Sequence, residues 1–247
     1  SLVNSFAANR TSGELLVVQE GYKISVPDTW TAFIHGIDID QELLTTFLNA
    51  NKDIIPSTLG GVRYEPLCTC VKGPFKPKDK KHQPRCIGSW FCKNMFRWYR
   101  KIVAQKQAVK YAKDNGFDTL VWVDSDCEFT GRLRPSLVDS WFKKCAVFYF
   151  KHTRPVLEAG VLGFDLRQGG EQLIEDVFNF YASDAFRKLD RWDDSMIYQL
   201  CIDKTQLTKA DLATKVGEHA DVVSSSPLAP FVRHNKGRHS RITKTMT

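Results

Sequence analysis

The sequence predicts an α/β fold: a single domain over residues 1–247, with a mostly parallel central sheet flanked by helices. Three observations carry that expectation. Short β-branched runs alternate with amphipathic stretches along the chain, the pattern of a sheet covered by helices. A long helical pattern leads into the apolar run Leu120-Val121-Trp122-Val123, which ends abruptly in Asp124-Ser125-Asp126. Finally, 247 residues that are 43% hydrophobic and 26% charged can bury a substantial core, which argues against wholesale disorder.

Taken in order, residues 2–6 read as a first strand and 14–21 as a second. Seven residues separate them, fewer than the about 10–12 that a parallel crossover needs. Either this connection is unusual or residues are missing between them. Residues 30–35 read as a third short strand. Asp40-Gln41-Glu42 then opens a helix, with acidic residues in the first turn where the helix dipole favours them. Between about 56 and 92, Pro56, Gly60, Gly61, Pro66, Gly73, Pro74, Pro77 and Pro84 punctuate an irregular insert that carries the basic run 76–81. Its Cys68, Cys70, Cys86 and Cys92 lack the spacing of paired Cys-x₂-Cys zinc knuckles and read better as unrelated loop thiols. From 94 to 115, Phe96, Tyr99, Val103, Ala108, Tyr111 and Ala112 recur mainly at helical spacing, and Asn115-Gly116 supplies the stop. Residues 117–123 follow as a buried strand. Residues 145–150 and 161–166 read as further strands, 172–181 as an amphipathic helix, and 194–201 as a helix with an acidic start. The basic tail 233–247 does not read as an element folded on its own.

Charge and cysteine content narrow the setting. Lys and Arg outnumber Asp and Glu by 35 to 28, a net charge of +7. That suits an acidic partner, a nucleotide diphosphate first, and nucleic acid or an anionic surface as well. No stretch approaches the about 20 apolar residues that span a bilayer, and the first residues lack the layout of a signal peptide. Seven cysteines, an odd number, fit reduced thiols in a cytoplasmic setting.

Asp124 and Asp126 carry the clearest chemistry. Residues two apart on a strand point to the same side, so the two carboxylates can address one hard cation together. Two carboxylates completed by waters and phosphate oxygens suit Mg²⁺ or Mn²⁺.

Further motifs follow in order: Glu158-Ala159-Gly160 before the run Val161-Leu162-Gly163-Phe164-Asp165, then Arg191-Trp192-Asp193-Asp194-Ser195, then His234-Asn235-Lys236-Gly237-Arg238. With the Asp-x-Asp strand, this ordered set resembles the GT-A superfamily of nucleotide-sugar glycosyltransferases, most closely its small phage, algal-virus and bacterial members. The resemblance covers residues 95 to 241 well and the N-terminal half loosely. It implies a single GT-A, Rossmann-like domain, a Mn²⁺ or Mg²⁺ ion, and a nucleotide-diphosphate sugar as donor. It implies Asp124, Asp126 and His234 as metal ligands, with Asp126 the more direct and the imidazole favouring Mn²⁺. Lys236 and Gly237 match a segment that closes on the diphosphate, the ammonium neutralising charge and the glycine admitting backbone N–H groups. Ser125 lies within the donor motif; Arg100 and Lys101 on the preceding helix could reach nucleotide phosphates, the alternative being a solvated helix face. Glu158 and Gly160 match a segment beside the donor sugar. Asp194 matches an acidic residue near sugar and acceptor, where closer relatives have His-Asp and this chain has Asp193-Asp194. As the start of a helix, Asp194 could equally serve as a cap, a role asparagine would fill as well.

The implied activity is metal-dependent sugar transfer to an acceptor hydroxyl, with the late histidine hinting at retention and Asp194 as general base the inverting alternative. Viral relatives of this type decorate surface glycans or hydroxymethylated DNA bases. The basic run 76–81 with Arg238, His239 and Arg241 favours DNA as acceptor, through counterion release; a surface glycan is the runner-up. A GT-A-like nucleotidyltransferase leaves Glu158-Ala159-Gly160 and the terminal motif unused. A non-enzymatic nucleic-acid-binding module leaves the strand-end carboxylates unexplained.

Overall fold

The structure, a computed structural model, describes residues 2–10, 13–21, 23–52, 95–151, 154–189, 191–214 and 222–235. The insert expected at about 56–92, with its basic run and four cysteines, lies outside the described residues, as does the tail beyond Asn235. The described residues group into two compact units. One draws on 2–38, 108–171 and 206–235, the other on 39–107 and 172–205. The chain is mixed α/β, and no described helix is long and apolar enough to cross a membrane.

In the first unit, the segment expected as the opening strand is a helix, α1 (Leu2–Asn9). Leu2 and Phe6, one helical turn apart, pack on the core, with the Phe6 ring 5.2 Å edge-on from Phe129. Ser5 and Asn9 share the next stripe. The Phe129 N–H donates to Ser5 Oγ at 3.0 Å, and the Asn9 amide donates to the Phe129 carbonyl at 3.0 Å. Two side chains thus satisfy backbone groups that a neighbouring strand would otherwise take. With 2–6 helical, the seven-residue connection has no crossover to make. Strand β1 (Leu15–Gln19) pairs parallel with β2 (Ile34–Asp38). The strand expected at 30–35 therefore starts later, because Asp28–Trp30 is a 3₁₀ turn and the Phe33 N–H bonds back to the Trp30 carbonyl.

The main sheet of this unit has four strands in the order β3 (Thr119–Val123), β6 (Val161–Asp165), β5 (Val147–Tyr149), β7 (Lys209–Asp211). It is mixed, where a mostly parallel sheet was expected: β3 and β5 both run antiparallel to β6, and only β5–β7 is parallel. Among the described residues between β5 and β6 there is no helix, and the strands pair antiparallel. Alternation of elements favours parallel pairing only where a crossover joins the strands. As the outer strand, β3 is half-buried throughout rather than buried, while β6 beside it is buried at every position. Gly163 faces Phe148 across the ladder; a Cβ there would lie 2.0 Å from the ring, so the close packing of β5 on β6 requires glycine. A second ribbon joins β4 (Cys127–Phe129) antiparallel to β8 (Val232–His234), so the expected unfolded tail begins as a strand. Helix α4 (Pro135–Phe142), with proline in its first turn, was not expected.

The second unit begins with α2 (Gln41–Ala50), whose expected acidic start is realised as a cap: the Leu43 N–H donates to Asp40 Oδ1 at 3.0 Å. Helix α3 (Met95–Asp114) matches its expected bounds and leaves this unit at its C-terminal end. It stops where Gly116 takes a φ of 74° and the Phe117 N–H bonds back to the Ala112 carbonyl. Helices α5 (Glu171–Ala182) and α6 (Asp194–Lys204) also fall where expected. The core here is aromatic: Phe47 stacks on Tyr99 at 3.7 Å between centroids, and Tyr181 and Phe186 meet both Phe47 and each other.

Candidate functional site

Strand β3 delivers the chain to Asp124, and there it turns. The Cys127 N–H donates to the Asp124 carbonyl at 2.9 Å, closing a β-turn over 124–127. Asp124 and Asp126 therefore sit in a turn between two strands and not along one strand face, so the i, i+2 argument does not place them. Pairing on either side of the turn does. The Asp124 N–H donates to the Gly160 carbonyl at 2.8 Å, extending β3–β6. The Asn235 N–H donates to the Asp126 carbonyl at 3.0 Å, extending β4–β8 and bringing in His234.

Around Gly160 the expected residues converge. A Cβ built on it would lie 3.1 Å from Glu158 Oε1, 3.1 Å from His234 Cε1 and 3.4 Å from Asp124 Oδ2. Glu158 is buried, accepts from the Gly160 N–H at 3.2 Å and pairs with Arg154 at 3.4 Å. The Trp122 indole N–H donates to Asp124 Oδ1 at 2.7 Å, fixing the carboxylate with its other oxygen toward Gly160. His234 Nε2 lies 3.3 Å from Asp126 Oδ1; the imidazole is 2% exposed and the carboxylate 40%. Ser125 is exposed at the turn.

Among the described residues, the metal-donor atoms that lie within 4.8 Å of one another belong to Asp126, Cys127 and His234. Asp124 is not in this set and faces His234 across Gly160. Cys127 was not expected; its signal was simply a thiol next to the acidic motif. Carboxylate, imidazole and thiol are all metal donors, so this group fits a divalent cation. Nearby, hydrogen bonds from Arg233 and Asn235 hold Glu128 below the usual carboxylate range.

Lys101 and Asp194 belong to the second unit and pair with each other. Lys101 Nζ meets Asp194 Oδ2 at 2.8 Å, with the side chains 11% and 8% exposed. One turn further along both helices, Tyr198 donates to Gln105 Oε1 at 2.6 Å, a second polar rung between α3 and α6. Asp193, not Asp194, occupies the cap position of α6, and its carboxylate accepts from Arg191 at 2.9 and 2.8 Å. Tyr181 donates to the Trp192 carbonyl at 2.8 Å; burial, then the charges of Asp194 and Asp193, push its phenol well above its ordinary value. Lys236 and Gly237 lie outside the described residues. Comparison with protein-family models, with curated proteins and with solved structures gives no match.

Proposed function

We propose that this chain is a metal-dependent glycosyltransferase that moves a sugar from a nucleotide-diphosphate donor to an acceptor hydroxyl, with retention of configuration. The observation that carries the reading is the meeting of Asp124, Glu158 and His234 around Gly160, with Asp126 beside His234, residues that the resemblance assigns to one donor site. Asp126 and His234 would hold the cation, Mn²⁺ or Mg²⁺, with Asp124 facing them. When bound, that ion supplies Lewis-acid stabilisation of the departing diphosphate. Gly160, having no side chain, lets Glu158 and His234 close around it, and Glu158, tied to Arg154 and the Gly160 N–H, would face the sugar. Asp194 is assigned to the sugar and acceptor, its charge kept in place by Lys101. The acceptor is proposed to be a hydroxymethylated base in DNA, on the strength of the +7 charge and the basic run 76–81. A cytoplasmic location, that of the host for a viral member, goes with this reading.

The test is turnover of a panel of nucleotide sugars with Mn²⁺, against unmodified and hydroxymethylated DNA and against glycan acceptors. Gly160→Ala is the sharpest probe. Its backbone is ordinary, so the added methyl acts only by pressing on Glu158 and His234. Turnover should fall while thermal stability holds. Asp126→Ala retaining full activity in chelator would overturn the metal mechanism. Transfer to glycans but never to DNA would replace the acceptor and leave the enzyme class standing.

A further inference from the structure

Cys127 has no place in the site as the sequence describes it. In β4–β8 it stands directly opposite His234, and opposed residues of an antiparallel pair project from the same face. The next pair on that face, Phe129 and Val232, is buried in the core. The pair between them, Glu128 and Arg233, projects the other way, where Arg233 donates to Glu128 at 2.5 Å. Strand alternation therefore turns the thiol and the imidazole inward together, and the turn adds the Asp126 carboxylate.

We propose that Cys127 is a third ligand to the cation held by Asp126 and His234, so that the site prefers a borderline ion, Zn²⁺ or Co²⁺, to Mg²⁺. The inference rests on the reading that Asp126 and His234 bind a divalent cation, and it sharpens which one. Their 3.3 Å separation is long for a charge-assisted hydrogen bond, about 2.7–2.9 Å. It matches the about 3.3 Å between two ligands that each lie about 2.0–2.1 Å from a tetrahedral ion. Burial is graded in the same sense. Cys127 is 2% exposed, the His234 side chain is 2% exposed, and the Asp126 side chain at 40% marks the side open to solvent. Three protein ligands with one open position is the layout of a catalytic zinc site. Mg²⁺ instead demands near-octahedral oxygen and gains little from sulfur.

The test uses the full chain with Cys68, Cys70, Cys86 and Cys92 changed to serine, so that the insert's thiols cannot answer for Cys127. Titrated with Co²⁺ under reducing conditions, this protein should develop a near-ultraviolet sulfur-to-cobalt charge-transfer band at one equivalent. Adding Cys127→Ser should abolish the band and weaken Co²⁺ more than about 10-fold, beyond what outer-sphere changes start to cost. Mn²⁺, followed by loss of its free-ion resonance signal, should bind through Asp126 and change little on Cys127→Ser. A band that survives Cys127→Ser overturns the proposal. Mn²⁺ binding that needs Asp126, with no cobalt–sulfur band, overturns thiolate ligation and leaves the cation site standing. No binding of any divalent ion overturns both. Should Cys127→Ser fail to fold, X-ray absorption of the cobalt-loaded parent decides: one sulfur neighbour supports ligation, and only nitrogen and oxygen neighbours exclude it.

Discussion

Asp126 and Asp194 are both carboxylates assigned to one reaction, yet their surroundings are opposite. The Asp126 side chain, in the first unit, is 40% exposed on a turn, with an imidazole nitrogen 3.3 Å away. Asp194, in the second, is 8% exposed at a helix start, with the Lys101 ammonium at 2.8 Å. A carboxylate facing solvent can give its charge to an arriving cation. One buried against an ammonium has already spent its charge on the fold, and a cation would compete with lysine for it. The first arrangement is suited to binding, the second to holding a group in one geometry, and substitution separates the two.

The largest effect should come from the exposed member. Asp126→Ala should lower Mn²⁺-dependent nucleotide-sugar turnover more than the about 10–100-fold typical of outer-sphere partners, with an unchanged melting temperature. An equal loss of stability would erase the distinction from Asp194. At the buried member the order reverses. Lys101→Met removes the ammonium from a buried carboxylate and should cost about 3–5 kcal/mol of stability in denaturant melts. Lys101→Met with Asp194→Leu should recover most of that, because two apolar groups can replace a buried pair. For the same reason Asp194→Asn should be destabilising. As a cap residue it would have been neutral, but Asp193 holds that position.

A smaller effect is expected at Asp165, at the end of β6. Burial pushes its carboxyl up, but hydrogen bonds from Arg167 and Gln168 outweigh burial and hold it below the usual range. With the folded pKa below the unfolded one, Asp165 stabilises the fold above the ordinary carboxylate pKa. That contribution fades as pH falls through the depressed value. Acid melts of Asp165→Asn should start from lower stability at neutral pH and decline less steeply than those of the parent. The smallest effect belongs to Glu128, exposed beside Arg233 on the outer face of the ribbon. Glu128→Gln should leave the thermal midpoint within experimental scatter, since solvent screens such pairs.

Much of the scaffold was legible in the residues. The bounds of α3, its glycine stop, the acidic start of α2, β6 and the starts of α5 and α6 follow from local periodicity and end signals, which act over a turn or two of chain. Residues 2–6 misled because five residues satisfy a strand pattern as readily as a helix. What decided between them was Phe129, whose backbone groups Ser5 and Asn9 complete.

The sequence by itself determined that an acidic turn would follow an apolar strand, and which late histidine could join it. Only the tertiary structure decided how they meet. Pairing direction made the sheet mixed, and the β4–β8 register set Cys127, rather than Glu128, opposite His234. A slip of β4 by one residue would have turned that strand over, placing Glu128 opposite His234 and taking Cys127 off the inner face. Such a choice depends on contacts between residues more than a hundred positions apart, so no local pattern encodes it.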